Sequence, residues 1–424
     1  MTAAAGRSAR GWLLIAGAVA PGRVSATLGF VRIVGAAGPA SPPGVVETVL
    51  FGLAIFGAAT LLSWGAEVAQ LDISEGLAIA FLAFVAVLPE YAVDLVFAWK
   101  GGQQDAVAGA AATLCGETHP CRQLAIANMT GSNRLLIGLG WAAVVLVWWR
   151  TSGARGVDLG DERRTELGFL TVATLWAFGI PIRGELSLLD TVVLVALFLL
   201  YLAKAAGDEQ EHPDLVGPPV VIAALSVAAR RSVTIVMFAY AAAAILLVAE
   251  NFAEGIVFAA ESSGLDPFHA VQWLAPLASE APEMIIAILL VLRAKPEQGL
   301  GALISSKVNQ WTLLVGTVPL VYALARGEAT ALILNAEQRE EVFLTAAQSL
   351  FAVAVVANLK ISRGEATVLL VLFLAQFGIR ATAVRVGFAV AYVAFALVLL
   401  LARDARRGVG EGVARVFART SRPG

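Results

Sequence analysis

Residues 81–99, FLAFVAVLPEYAVDLVFAW, decide the fold. The stretch is apolar enough to lie in lipid, yet it holds Pro89, Glu90 and Asp94 in its interior. A charged carboxylate at the bilayer centre costs roughly 2.5–3.5 kcal/mol on insertion scales. A proline inside a helix costs about 3 kcal/mol and frees a backbone carbonyl. Residues 271–292, VQWLAPLASEAPEMIIAILLVL, repeat the combination with Pro282-Glu283 in the corresponding place. Two helices that both bear these costs point to an ion site.

The surrounding chain supports a membrane setting. Of its 424 residues 58% are hydrophobic and only 15% charged, against about 25% charged in soluble domains, and the mean hydropathy is +0.79. Apolar runs of helix-spanning length, without strand-like alternation, exclude a β-barrel and predict an all-α polytopic membrane protein. The net charge of −2 is uninformative about partners, and no nucleic-acid surface is visible. Residues 1–44 place Arg7 and Arg10 before a short apolar run, which fits a signal peptide, an interfacial helix or an extra span.

Outward from the two Pro-Glu helices, spans fall near 46–66, 74–98, 124–149, 165–182 and 187–204, and again near 233–260, 268–292, 298–324, 341–358 and 365–379. One further span, about 383–402, precedes a basic tail. The two sets of five are copies. Glu166-x-x-Phe169-Leu170-Thr171-x-Ala173 opens the fourth span, and Glu340-x-x-Phe343-Leu344-Thr345-x-Ala347 opens the ninth. Arg183-Gly184-Glu185 precedes the fifth and Arg363-Gly364-Glu365 the tenth; Asn133 and Gly140 match Asn309 and Gly316. Because five is odd, the copies enter the membrane in opposite orientations, an inverted repeat with its ion site near the midplane. The expected domains are therefore an N-terminal segment 1–44, repeat one 45–205, a central link 206–231, repeat two 232–380, an extra transmembrane helix 381–402 and a tail 403–424.

Loop charge sets the orientation. A cytoplasmic link and tail put 17 Lys and Arg inside against 7 outside, past residue 44. The expectation is a multi-pass plasma-membrane protein with link and tail cytoplasmic, the tail a solvated or headgroup-bound helix. Cys115 and Cys121 then lie outside, where the loop forms a disulfide or stays an ordinary loop with two thiols; Cys/His/Cys metal binding lacks the usual paired spacing.

The candidate chemistry lies on four helices. Glu90 and Asp94, four apart, share a helix face, as do Glu280 and Glu283, three apart. The third span carries Asn128-Met129-Thr130-Gly131-Ser132-Asn133 and the eighth Ser305-Ser306-Lys307-Val308-Asn309-Gln310. Carboxylates, amides, hydroxyls and proline-freed carbonyls are oxygen ligands suited to hard cations such as Na⁺ or Ca²⁺.

At these residues the chain resembles the sodium/calcium exchanger family of the cation/calcium antiporter superfamily, over residues 46–380. The family has two inverted five-helix repeats, each with a Gly-Thr-Ser-x-Pro-Glu-type motif on its second helix and a Gly-Asn-x-x-Gly-Ser-Asn-type motif on its third. The resemblance implies that Glu90 and Glu283 are the central cation-binding glutamates. Asn128 matches the third-helix amide ligand, with Gly131 and Ser132 at the family spacing, and Ser279 takes the place of the motif threonine. The chain departs from the pattern at Ala86-Val87, where the first copy loses its Thr-Ser pair. Glu280 replaces the second serine, Ile304 stands at the ligand position of the eighth span, and Lys307 stands at its glycine position. A lysine among Glu90, Glu280 and Glu283 occupies one cation's place; at ~4 Å and an effective dielectric near 20 each contact would be worth about 4 kcal/mol. Lys307 is thus expected to make exchange proton-coupled or to reduce its ion stoichiometry.

Blander roles stand beside these: a buried polar pair for Glu90 and Glu283, a salt bridge for Glu280 and Lys307, a vestibule position for Asp94, and interhelical glue for Asn128 and Asn309. Glu250 and Glu254 share a face that suits an entry path, and Trp148 and Trp149 suit an interfacial belt. No HExxH, GxSxG or phosphate-loop motif supports an enzyme. The expected function is cation antiport by alternating access, with no cofactor, exchanging Ca²⁺ or another cation for Na⁺ or H⁺ at Glu90, Glu283, Asn128, Ser279, Glu280, Ser132 and Asn309. Glu90 and Glu283 are the metal-binding pair, and Lys307 and Asp94 are modulating or proton-coupled. The alternatives are a Na⁺/H⁺ exchanger that does not carry Ca²⁺ and a non-transporting sensor or scaffold. The partners are the lipid bilayer and inorganic cations.

Overall fold

A computed structural model describes residues 11–21, 23, 43–72, 75–107, 115, 119–205, 215, 217–377 and 381–418, the side chains of 75–87 excepted. The link GDEQEHPD with His212, most of the N-terminal segment outside 11–21, and residues 419–424 lie outside the described residues.

The chain runs through α1 (Gly11–Pro21), α2 (Val45–Ala69), α3 (Glu75–Ala106), α4 (Cys121–Leu135) and α5 (Ala142–Ser152). After β1 (Gly156–Asp158) come α6 (Arg164–Ala177), α7 (Gly179–Arg183), β2 (Glu185–Leu186), α8 (Leu188–Ala205) and α9 (Pro218–Ala223). The second half holds α10 (Val227–Ser262), α11 (Pro267–Leu292), α12 (Pro296–Asn309), α13 (Val315–Arg326), β3 (Leu332–Ile333) and α14 (Ala336–Val356). It closes with β4 (Lys360–Ser362), α15 (Arg363–Ala375), α16 (Thr382–Leu400) and α17 (Arg403–Phe417). Among the described residues, 8 helical stretches are long and apolar enough to cross a membrane.

The two halves repeat local detail as well as sequence. α4 continues into α5 through a π-helical turn, Leu136–Trp141, and α12 into α13 through another, Gln310–Leu314. Both turns begin soon after the matched asparagines, Asn133 and Asn309. Each composite helix ends on a glycine with left-handed backbone, Gly153 at φ 74° and Gly327 at φ 76°, a conformation that costs glycine nothing.

Two small antiparallel pairs fix the relative orientation of the halves. β1, between the third and fourth spans of repeat one, pairs with β4, between the fourth and fifth of repeat two. β2, between the fourth and fifth spans of repeat one, pairs with β3, between the third and fourth of repeat two. Corresponding loops therefore lie at opposite ends of the molecule, which is an inverted repeat. At one end the Lys360 ammonium, 2.8 Å from Asp158, holds that carboxyl below its usual range and fastens β1 to β4.

The central packing pairs α2 with α10, α3 with α13, and α4 with α11. Cys115 and Cys121 form a disulfide in the connection from α3 to α4, which removes both thiols from metal binding. α1 is too short to cross a bilayer; it lies against α2, whose Gly57 approaches the Ala18 carbonyl, and Tyr240 of α10 donates to the Val19 carbonyl at 2.7 Å.

The tail, expected to be a solvated or headgroup-bound helix, is a helix that packs one face against the protein. One face of α17 is docked on α6: a Cβ on Gly168 would stand 2.1 Å from the Gly412 carbonyl oxygen, and one on Gly408 would stand 1.8 Å from that of Ala357. Arg415 pairs with Asp161 and Glu411 with Arg164. Sequence analysis missed this contact because the long charged side chains around Gly408 and Gly412 read as a solvated face.

Candidate functional site

α3 and α11 carry the Pro-Glu units and cross the composite helices α4–α5 and α12–α13. Pro89 lies inside α3, and Pro276 and Pro282 inside α11. Each removes the donor that the carbonyl four residues earlier would use. For Pro276 that carbonyl is Gln272, and Gly131 of α4 lies directly against it: a Cβ on Gly131 would come within 1.8 Å of the Gln272 oxygen. A glycine is therefore obligatory where α4 meets α11.

The acidic side chains gather at these crossings. Glu90 is 1% exposed, and Glu280, Ser132, Gln310 and Lys307 surround it. Neither of its carboxyl oxygens accepts a hydrogen bond. One turn along α3, Asp94 is fully buried and its Oδ1 accepts from Asn128 Nδ2 at 2.9 Å, while Asp94 Oδ2 and Asn128 Oδ1 have no partner. On the opposite side Gln310 Nε2 donates to Glu280 Oε1 at 2.7 Å and leaves Glu280 Oε2 and Gln310 Oε1 unpartnered. Buried polar atoms almost always have partners. A cluster of open buried acceptors is the signature of a place for a cation or a proton.

The other sequence candidates are distributed around this cluster. Ser132 Oγ bonds back to the carbonyls of Asn128 and Met129, and Ser279 Oγ to those of Ala275 and Pro276. Asn309 is buried at the end of α12. Glu283 is half-buried and faces Ser306, within electrostatic range of Glu90. Glu280, not Glu283, is thus the carboxyl that faces Glu90. Among the described residues no three His, Cys, Asp or Glu side chains are gathered closely enough to hold a metal by themselves. A dication here would draw on amide and backbone oxygens as well, as Ca²⁺ commonly does.

The structure adds detail to three of these readings. Asp94 lines no vestibule, because it is buried against Asn128. Lys307 makes no ion pair with Glu90, Glu280 or Glu283. Its Nζ donates to Asn133 Oδ1 at 2.5 Å and to the Asn133 carbonyl at 3.3 Å, and lies 4.3 Å from the centre of the Trp311 ring. An amide, a main-chain carbonyl and an aromatic face take the ammonium instead of a carboxylate, and the carboxylates stay open. Glu250 and Glu254 are not free either: Lys100 reaches both, at 2.8 and 2.5 Å.

A second buried network escaped the sequence reading. Arg134, next to Asn133, is 2% exposed and pairs with Glu341 of α14 at 2.6 Å. Glu341 also accepts from Gln272 at 3.0 Å and from Arg385 of α16 at 3.0 Å. Arg385 holds Glu337 and Glu340 as well. The network ties α4, which carries Asn128 and Ser132, to α11, α14 and α16. Its members lie far apart in sequence, and Arg134 has no counterpart in the second copy, where Gln310 stands.

A family model described as sodium/calcium exchanger protein matches residues 44–206 and 233–382. A solved H⁺/Ca²⁺ exchanger, CAX, is 40% identical with a TM-score of 0.83, over 93% of this chain and 96% of that one. The Ca²⁺/H⁺ antiporter protein YfkE shares the fold at 15% identity and TM-score 0.59, over 91% and 99% of the two chains. The sodium-calcium exchanger NCX_Mj shares it at 16% identity and TM-score 0.52, over 80% and 99%. No curated protein matches the chain.

Proposed function

The chain belongs to the sodium/calcium exchanger family, and from that premise we propose that it exchanges Ca²⁺ for H⁺ across the membrane at a site built from Glu90, Asp94, Asn128 and Glu280. It is a membrane antiporter and not an enzyme. The observation that carries the ligand assignment is the set of open buried oxygens on those four residues. Their hardness and mixed carboxylate–amide character suit Ca²⁺. Glu283, with Ser306 beside it, stands within electrostatic range of Glu90 as a flanking carboxyl.

Proton coupling follows from crowding. Two carboxyls that face each other out of water cannot both stay charged without a cation between them. Ca²⁺ arriving displaces protons, and protons arriving displace Ca²⁺. If the site opens to one side at a time, each exchange moves the two species in opposite directions. The 40%-identical H⁺/Ca²⁺ exchanger favours the same pairing of ions.

Proteoliposomes test this. An outward proton gradient is expected to drive Ca²⁺ uptake, and lowering the pH on the uptake side should weaken the apparent Ca²⁺ affinity. Proton-coupled Na⁺ flux without Ca²⁺ flux would replace the reading with a Na⁺/H⁺ exchanger. Absence of any gradient-driven cation flux would leave a sensor or scaffold.

A further inference from the structure

The two halves of the site are chemically unequal. The repeat that matches Pro89-Glu90 to Pro282-Glu283 matches Asp94 to Ala287, and the one that matches Asn133 to Asn309 matches Asn128 to Ile304. Repeat one supplies a carboxylate and an amide with open oxygens. At the corresponding places repeat two has two buried apolar side chains, Ala287 and Ile304, and its open oxygens lie instead on Glu280 and Gln310. The same comparison matches Gly131, pressed against the Gln272 carbonyl, to Lys307.

Lys307 is fully buried, and its ammonium is solvated within the protein by Asn133 and the Trp311 ring. Asn133 Nδ2 is itself fixed by the Met129 carbonyl at 2.8 Å, so its amide oxygen is aimed at the lysine. Glu90 and Glu280 lie within electrostatic range of Nζ without touching it. When protonated, the tethered side chain carries a monovalent positive charge beside the open oxygens, and it cannot leave.

We propose that Lys307 is a resident cation beside the open oxygens, standing in for a second, monovalent ion, so that the chain holds a single divalent cation and gives Na⁺ no place. The inference rests on the exchanger reading above. A second cation entering beside the open oxygens would meet the fixed ammonium as a like charge in low dielectric. A single Ca²⁺ among Glu90, Asp94, Asn128 and Glu280 meets three acidic groups first. Lys307 is thereby a specificity-determining residue and not a ligand.

The experiment is equilibrium binding of radioactive Ca²⁺ to purified protein, with and without excess Na⁺, paired with flux in proteoliposomes. The native chain is expected to bind one Ca²⁺ per chain, with no shift of half-saturation by Na⁺. Lys307→Ser, which vacates the position, is expected to become Na⁺-sensitive, its half-saturation shifting about tenfold or more in excess Na⁺. Lys307→Arg, which keeps a cation there, is expected to stay insensitive. Two Ca²⁺ per native chain, or Na⁺ competition in the native chain, would overturn the proposal even if Lys307→Ser fails to fold. So would a folded Lys307→Ser indifferent to Na⁺. A native chain that neither binds nor moves Ca²⁺ would refute the exchanger reading itself, a different outcome.

Discussion

Glu90→Gln protein in proteoliposomes is expected to lose Ca²⁺ affinity by about 10²–10³-fold, with Glu280→Gln close behind. The substitution preserves shape and removes charge. Glu90 is buried and neither of its oxygens is held in a hydrogen bond, so its charge is available to the cation. Removing one partner of a buried charge pair costs about 3–5 kcal/mol, and every 1.4 kcal/mol or so is tenfold in affinity. Because the neutral amide also relieves the crowding against Glu280, the variant should fold at least as stably as the native chain. Glu283→Gln is expected to do less, since that carboxyl is half-buried beside Ser306. Equal losses at Glu90 and Glu283 would restore the family's symmetric pair as the site and remove Glu280 from it.

The second large effect is on stability. Glu341→Leu leaves Arg134 buried without its carboxylate, although Arg385 retains Glu337 and Glu340. Thermal or denaturant unfolding in detergent should show a loss of about 3–5 kcal/mol. The double variant Glu341→Leu with Arg134→Met should recover most of it, because a packed apolar pair is often no worse than a buried ion pair. Full additivity of the two substitutions would mean that Arg134 and Glu341 do not act as a unit. Since Arg134 follows Asn133 on α4, the single variant should also weaken Ca²⁺ binding at Asn128, which the double variant would restore if the network serves only to position the helix.

Much of the fold was legible because lipid restricts the choices. Runs near twenty apolar residues have to be helices, and the matched Pro-Glu pairs, Asn133 with Asn309, and Gly140 with Gly316 give away the duplication. The inverted orientation followed from an odd number of spans, and β1–β4 and β2–β3 express it as loop pairing. Site residues were legible as residue types but less so as partners. Glu90 and Asp94 share a helix face by spacing alone. That Glu280 and not Glu283 faces Glu90 depends on how α11 is rotated, and its internal prolines Pro276 and Pro282 loosen the 3.6-residue rule there. Lys307 shows the other limit. Sequence proximity to acidic helices suggested carboxylate contacts, but the flexible side chain reaches across to Asn133 and Trp311. Arg134 and Glu341 are 207 positions apart by their numbering, and nothing local signals that they meet.

The most direct test is to locate the ion. Anomalous scattering from crystals soaked in Mn²⁺ or Sr²⁺ is expected to give one peak per chain, within coordination distance of Glu90, Asp94 and Asn128 and beside Glu280, with the Lys307 ammonium still on Asn133. A peak instead at Glu250 and Glu254, or one centred between Glu283 and Ser306 with Glu90 and Asp94 uninvolved, would contradict the account.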